Sequence, residues 1–252
     1  MNINKRILIG LGTVVLMVFG VMLYPRFAEY RLRTQLEKEN EAALKEISKT
    51  DIIHAAAVAD TMPVSFPEKA YLEVPFYCQA PHMNPDSWKI HKESCEEAAV
   101  LQAVFYNKGI KDVSVDSVDW LIKDMLRWQD QHFGGHKDIH ADSVKMMMMG
   151  YFGYKDEEVK ILRKAKIEDI KRYVAMGYPV IAPTFGRTLK NPFYTPPGPR
   201  YHMLTVIGYT PDRVITNDVG TRRGKDFTYP YDIFQKSMDE EGGDCLVIMA
   251  KK

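Results

Sequence analysis

The N-terminal segment restricts most strongly what this chain can fold into. Lys5 and Arg6 precede Ile7–Tyr24, a run of 18 residues without a charged side chain. As an α-helix rising 1.5 Å per residue, such a run extends about 27 Å, close to the roughly 30 Å hydrocarbon core of a bilayer. The run therefore predicts one transmembrane helix and an N-terminal membrane anchor over residues 1–25.

A cleaved signal peptide is the alternative interpretation of the same segment. Cleavage needs small residues just beyond the apolar run, and here the run ends in "LYPRF". The small residues of Ala55–Asp60 lie too far downstream, so we expect an uncleaved anchor. Basic residues flank the run on both sides, and the positive-inside rule therefore does not fix its orientation.

The rest of the chain divides into a stalk and a domain. Residues 26–68 combine a charged, Leu- and Ala-containing helical pattern with a proline-containing linker. Residues 69–252 then show helical patterns first and β-rich segments later, which indicates an α+β domain with N-terminal helices packed on an antiparallel sheet. We predict helices at Cys95–Asn107, Asp116–Gln129, Ala141–Phe152 and Ile167–Met176, and strands in "YLEVPFY", "YPVIAPTF", "YHMLTVIGY", "RVITNDV" and "CLVIMA".

Composition excludes several classes of protein. The net charge is +1 and no basic stripe with interleaved aromatic residues is present, so nothing indicates nucleic-acid binding. Three cysteines are too few for a disulfide scaffold. Cys78 and Cys245 remain open as a disulfide pair, although the sequence cannot show whether they are close.

Cys95 opens a predicted helix. Ser94, followed three residues later by Glu97, is a capping-box pattern, and an apolar stripe follows it. In the first helical turn, unpaired backbone N–H groups and the helix dipole lower a cysteine's pKa, while Glu96 and Glu97 oppose that effect. Cys95 is therefore a candidate nucleophile, and a buried structural cysteine is the alternative.

A base for this cysteine is predicted from a hairpin. "YHMLTVIGY" and "RVITNDVG" flank the turn "TPD", so folding the strands back places His202 near residues 218–220. In a regular hairpin we expect Asp218 on the face of His202 and Asn217 on the other, whereas a bulge would exchange them. Gln79, in a loop before Cys95, is a candidate oxyanion donor, since its amide can donate where charge develops.

The order "VPFYCQAP", "SCEEAA", "YHMLTVIGY" and "TNDVG" resembles the papain-like cysteine peptidase family 39 and its stand-alone relatives. The founding members trim double-glycine leaders beside ABC transporters. The resemblance covers about Tyr71 to Lys252 and implies a papain-like fold with a catalytic set of Gln79, Cys95, His202 and Asp218. Many members carry a glycine after the cysteine and a proline after the aspartate, where this chain has Glu96 and Val219. No transporter domain is attached, which leaves the double-glycine leader substrate open but does not affect the expected chemistry.

Two further segments have both a functional and a purely structural interpretation. Arg187–Tyr201 is a long, Pro- and Gly-rich irregular stretch leading into His202, so we expect it to form a wall of the substrate cleft. The predicted substrate-binding residues are Trp88, Asn191, Tyr194 and Tyr201. His132, His136, Asp138 and His140 are interpreted as a solvated loop rather than a metal site, and Met146–Met149 as core filling.

The sequence thus predicts a membrane-anchored cysteine peptidase with its catalytic domain outside the cytoplasm, acting on a peptide or protein substrate. No cofactor, metal or nucleic-acid partner is implied, and the oligomeric state is left open. A non-catalytic peptide-binding module on the same fold and a transamidase are the alternatives.

Overall fold

The computed structural model describes residue 24, residues 26–52 and residues 66–250. The predicted anchor over Ile7–Tyr24 lies, apart from its last residue, outside that part. Among the described residues, no helix combines the length and the apolar character needed to cross a bilayer. Helix α1 runs over residues 26–45. The described residues from Ala42 onward belong to one compact unit, and the described residues before Ala42 belong to another.

Helices and strands alternate irregularly along the larger unit, as expected for an α+β domain. The helices are α2 (Pro85–His91), α3 (Cys95–Asn107), α4 (Val115–Phe133), α5 (Ala141–Phe152), α6 (Ile167–Ala175), α7 (Gly186–Leu189) and α8 (Tyr231–Glu240). The strands are β1 (Ala70–Tyr71), β2 (Val159–Leu162), β3 (Val180–Phe185), β4 (Tyr201–Tyr209), β5 (Arg213–Asn217), β6 (Phe227–Pro230) and β7 (Cys245–Ile248). Short 3₁₀ turns lie at Lys49–Asp51 and Asp156–Glu158.

The described strands form one seven-stranded sheet in the order β2-β7-β3-β4-β5-β6, with β1 paired to β4. Every strand pair in it is antiparallel. Strand β4 pairs with β3, β5 and β1, and all nine of its residues are buried. The predicted α+β class and antiparallel sheet are therefore confirmed, and His202 lies in a fully buried strand.

Helices cover the sheet on both faces. On one face, α3, α4 and α5 enclose a cluster that includes Met203 of β4 and Ile181 of β3. On the other, α6 and α8 enclose a cluster that includes Leu204 and Val206. Because side chains alternate along a strand, Met203 and Leu204 enter different layers. Strand β4, which contains His202, therefore has a packed layer on each side.

Helix α3 starts at Cys95 and ends at Asn107, as predicted, but two details of the prediction are wrong. Ser94 makes no side-chain capping bond, and Glu97 hydrogen-bonds Gln129 instead of the cap. The sequence predicted one buried apolar face, but every residue from Cys95 to Tyr106 is buried. Such a helix lies in the interior rather than at the surface, because a helix enclosed all round has no face left for water.

The segment "YLEVPFY" forms a strand over Ala70–Tyr71 alone. Leu72 still donates its N–H to Ile207 O at 2.8 Å, but Pro75 lacks the N–H that a longer ladder would need. The sequence-based assignment also omitted β2, β6, α2, α7 and α8. All but α8 are short, so they are defined mainly by what they pack against. Helix α8 has a helical apolar period in Tyr231, Phe234 and Met238, which the assignment overlooked.

Candidate active site

The candidate nucleophile is the first residue of α3. Cys95 is 6% exposed and lines a cleft of about 470 Å³ together with Gln79 and His202. Its thiol donates a hydrogen bond to Glu96 Oε2 at 3.1 Å. Within the described residues, the structure gives Cys95 no hydrogen bond to His202. The thiol and the imidazole therefore open onto one cavity, while the thiol proton points toward Glu96.

The environment of Cys95 differs from the one predicted. The pKa of the thiol lies well above its usual value, first because the group is enclosed and second because Glu96 places negative charge beside it. Glu96 and Glu97 are completely buried rather than partly screened. The helix terminus was expected to lower this pKa, but in this structure burial and like charge dominate.

His202 is held by a carboxylate. Its Nε2 hydrogen-bonds Asp218 Oδ1 at 2.9 Å, and both side chains are buried. Because Nε2 is occupied, Nδ1 is the ring nitrogen left to exchange a proton with a reacting group. The contact that the hairpin pattern predicts is therefore present in the structure.

The route by which Asp218 reaches His202 differs from the prediction. Next to the turn, Gly208 lies opposite Ile215, whereas beyond a bulge Thr205 lies opposite Asn217. Continuing the first register would place Asn217 on the face of His202, because opposed residues share a face. The bulge moves the pairing by one residue and brings Asp218 to that face, so the expectation for a regular hairpin is reversed.

Asn217 has a structural role in this arrangement. Its Nδ2 donates to Val74 O at 3.2 Å, and its Oδ1 accepts from the Asp226 N–H at 3.3 Å. The side chain is buried and turned away from the imidazole. Asn217 therefore connects strand β5 to neighbouring segments and does not orient His202.

Asp218 accepts four hydrogen bonds besides that of His202. Gly220 N donates to Oδ1 at 3.0 Å. Oδ2 accepts from Tyr194 OH at 2.6 Å, Tyr229 OH at 2.5 Å and Asn191 Nδ2 at 3.0 Å. Burial by itself would raise the pKa of this carboxyl, but His202 and the tyrosine hydroxyls hold it below its usual value. Asp218 is therefore a buried anion poised beside the imidazole.

Gln79 lines the cleft, but its amide is already engaged. Nε2 donates to His91 O at 2.9 Å and to Lys92 O at 3.0 Å. The backbone N–H of Gln79 donates to Val219 O at 2.9 Å, which ties this loop to the residue after Asp218. An oxyanion formed at Cys95 would have to take over one of the two side-chain donors.

Three of the four predicted substrate-binding residues line the cleft, and the fourth does not. Trp88 on α2, Tyr194 in the loop before β4 and Tyr201 at the start of β4 all line the cleft. The same loop contributes Thr195, Gly198, Pro199 and Arg200 to its wall. Asn191 is not among the lining residues, because its side chain is buried against Asp218 and Tyr229.

The remaining cysteines and histidines stand apart from this cleft. Cys78 and Cys245 are both free and buried, so they form no disulfide. The loop predicted for His132, His136, Asp138 and His140 is wrong for His132, which lies in the last turn of α4 and hydrogen-bonds Trp128 O. His136 hydrogen-bonds Asp130, and Asp138 lines the cleft. The described residues include no group of three or more His, Cys, Asp or Glu placed to hold a metal ion. Met147 and Met148 are core residues, but Met146 is exposed.

Sequence reasoning missed the hydrogen-bond partners of the buried Asp218 and Glu96 carboxyls. Tyr229 lies on β6 and Asn191 just after α7, and neither stands in a recognisable motif. Glu96 was judged only as a charge that opposes the thiolate, not as a hydrogen-bond partner. The available signal was a pair of adjacent glutamates at the start of an otherwise apolar helix.

A model of the Peptidase_C39 like family matches residues 71–243 of the chain. Among solved structures, a protein from Bacillus anthracis assigned as a C39-like peptidase is 17% identical, with a TM-score of 0.52 over 74% of this chain and 100% of that one. Xylellain, a cysteine protease from Xylella fastidiosa, is 15% identical, with a TM-score of 0.42 over 80% of this chain and 94% of that one. At 17% identity, the likeness to the Bacillus anthracis protein concerns the fold alone. No curated protein matches the chain.

Proposed function

The chain belongs to the Peptidase_C39 like family and is a cysteine-type peptidase, and from this premise we propose that it hydrolyses peptide bonds with Cys95, His202 and Asp218. The observation that carries the proposal is the cleft that Cys95 and His202 share, with Asp218 bonded behind the imidazole. A thiol, a base and an orienting carboxylate in this order are what nucleophilic acyl transfer requires.

In the proposed reaction, the Cys95 thiolate attacks the carbonyl carbon of a peptide bound in the cleft. His202 takes the thiol proton through Nδ1, since Nε2 is bonded to Asp218. It then gives this proton to the leaving amine, and water hydrolyses the acyl-enzyme in a second step. Asp218 fixes the tautomer of His202 and stabilises its cation.

Two donors are proposed for the oxyanion. One is the backbone N–H of Cys95, because the first N–H groups of a helix have no partner within it. The other is Gln79 Nε2, after its part-buried bond to Lys92 O is exchanged for the substrate oxygen. This exchange would make the donor available only when a substrate is bound.

The proposed substrate is a peptide or protein segment. Trp88, Tyr194 and Tyr201 offer aromatic surface along the cleft, and residues 195–200 form its wall. Asn191 is proposed to position Asp218 rather than to touch substrate, because its amide bonds that carboxylate. The double-glycine leader substrate of the founding members is not part of the proposal.

Peptide hydrolysis by the wild type and by Cys95→Ala tests this proposal. The variant should lose hydrolysis completely while keeping its circular dichroism spectrum, because alanine is a good helix former. Cys245→Ala, which removes a buried cysteine outside the cleft, is the matched control and should remain active. Product analysis by mass spectrometry separates the alternatives: a ligated amine product would indicate a transamidase, and binding without turnover a non-catalytic module.

We also propose that residues 1–25 anchor the protein in a bacterial cell membrane with the catalytic domain outside the cytoplasm. The uncharged run Ile7–Tyr24 supports this proposal. The mature protein should keep its N-terminus and sediment with membranes in high salt, and protease added to spheroplasts should digest its domain. A soluble secreted form that begins near Asp60 would contradict the anchor.

A further inference from the structure

Two glutamates are enclosed beside the candidate nucleophile. Glu96 and Glu97 follow Cys95 directly in α3, and each is at most 1% exposed. Buried carboxyls are rare, because removing a charge from water is costly unless it is paired or neutralised. No lysine or arginine forms an ion pair with either glutamate in the described part of the chain. Their placement therefore needs an explanation other than a salt bridge.

The two carboxyls have different partners. Glu96 Oε2 accepts the Cys95 thiol at 3.1 Å, and Oε1 accepts the Ile139 N–H at 2.9 Å. Glu97 Oε1 accepts from Gln129 Nε2 at 2.5 Å, and among the described residues no hydrogen bond joins Glu97 to the thiol. Glu96 thus touches the reacting sulfur and is held there by the backbone of the loop after α4, whereas Glu97 faces α4.

Resting on the proposed function, we propose that Glu96 controls the ionisation of Cys95 by sharing its proton. When Glu96 is ionised it accepts the S–H bond and keeps Cys95 as a neutral thiol. In the resting enzyme the proton can move from Sγ to Oε2: the S–H bond breaks, an O–H bond forms, and the carboxylic acid donates to the thiolate. The proton returns from Oε2 to Sγ before His202 takes it in the proposed reaction. The charge of the pair is unchanged by this transfer, so the low-polarity surroundings permit it.

The groups around Glu96 fit such an exchange. Burial, and then the neighbouring Glu97, raise the pKa of Glu96 well above its usual value, so this carboxyl can hold a proton. Groups whose ionisation interacts this strongly titrate as a pair. The titratable groups that face Glu96 are Cys95 and Glu97 on α3, Asp138 in the loop after α4, and Tyr201 on β4. The adjoining cleft is lined by further titratable or charged groups: Lys92, Glu93, Lys137, Tyr194, Arg200 and His202.

The test is the pH profile of Cys95 alkylation by iodoacetamide in the full chain, with the modified residue identified by mass spectrometry. In Glu96→Gln the amide oxygen can still accept from Ile139 and the amide nitrogen can donate to the thiolate, so the variant mimics the neutral acid. Its profile should shift to lower pH by about one unit or more, which is roughly tenfold faster alkylation on the acid limb. Glu97→Gln is the matched control and should shift the profile clearly less.

The kcat/KM profile on a peptide should move in the same direction for Glu96→Gln. Superimposed wild-type and Glu96→Gln alkylation profiles, or equal shifts in both glutamine variants, would overturn the proposal. If Glu96→Gln does not fold, Glu96→Asp is measured instead, because its shorter side chain keeps the charge but withdraws it from Sγ. An alkylation profile of Glu96→Asp equal to that of the wild type would also overturn the proposal. A wild-type profile that follows a single ordinary thiol titration overturns it without any variant. Alkylation needs no turnover, so Glu96-dependent labelling without peptide hydrolysis would refute the proposed function and leave this inference standing.

Discussion

Replacing Asp218 by asparagine removes one charge from a fully buried site with little change of shape. The amide oxygen can remain opposite His202 Nε2, which preserves the 2.9 Å contact and the tautomer. The amide nitrogen then takes the place of Oδ2, where Tyr194, Tyr229 and Asn191 donate. The two hydroxyls can rotate to accept, but the Asn191 amide nitrogen can only donate and loses its acceptor, so Asp218→Asn should fold with a loss of about 1–3 kcal/mol in unfolding free energy.

The magnitude of the activity loss follows from the charge. Two unit charges about 4 Å apart interact by about 4 kcal/mol at an effective dielectric constant of 20, which is roughly three powers of ten in rate. This value is a ceiling, because the amide dipole retains part of the interaction. In Ser-His-Asp enzymes the corresponding change costs about 10⁴ in kcat. Because the Cys95 thiol donates to Glu96 in this structure, His202 becomes charged only during the reaction, and the retained amide dipole limits the expected loss to roughly 10–10³ in kcat/KM.

The assay is kcat/KM on one peptide, with folding checked by circular dichroism and thermal melting. Asn217→Ala is the matched control: it loses bonds to Val74 and Asp226, so it should reduce stability but cost less than tenfold in activity per folded molecule. A larger loss at Asn217 than at Asp218 would refute the register set by the bulge. Near-wild-type activity in both variants would show that His202 is oriented by another group.

Three further predictions concern the surrounding groups. Tyr229→Phe removes a 2.5 Å donor from Asp218, so the pKa of that carboxyl should rise and the acid limb of the kcat/KM profile should move to higher pH; an unmoved limb would contradict the role of the hydroxyl. Gln79→Ala should lower kcat by about 10²–10³ with little change in KM if the amide stabilises the oxyanion, whereas a loss in KM alone would exclude that function. Burial raises the pKa of Glu97 from 4.5 to about 7, so between these pH values the folded state keeps a proton that the unfolded chain releases. Thermal melting at stepped pH should therefore show stability falling as pH rises from 4.5 to about 7, and falling less steeply in Glu97→Gln.

The sequence by itself determined the parts of this protein that depend on neighbours along the chain. The bounds of α3, α5 and β4 follow from local helix and strand patterns, and the structure reproduces them. The turn between β4 and β5 is also local, so a His202–Asp218 contact was predictable from two adjacent strands. The order of the Gln, Cys and His motifs sufficed to indicate the family.

Tertiary structure alone decided how these residues are tuned. The bulge before Gly208 selects Asp218 over Asn217, and it lies where β4 also pairs with β1, far away in sequence. The donors that hold Asp218 ionised come from β6 and from the loop after α7. The enclosure of Glu96 depends on Ile139, 43 residues along the chain. Burial and hydrogen-bond partners of this kind are set by contacts between distant segments, and pKa values follow from them, so local patterns in the sequence cannot encode them.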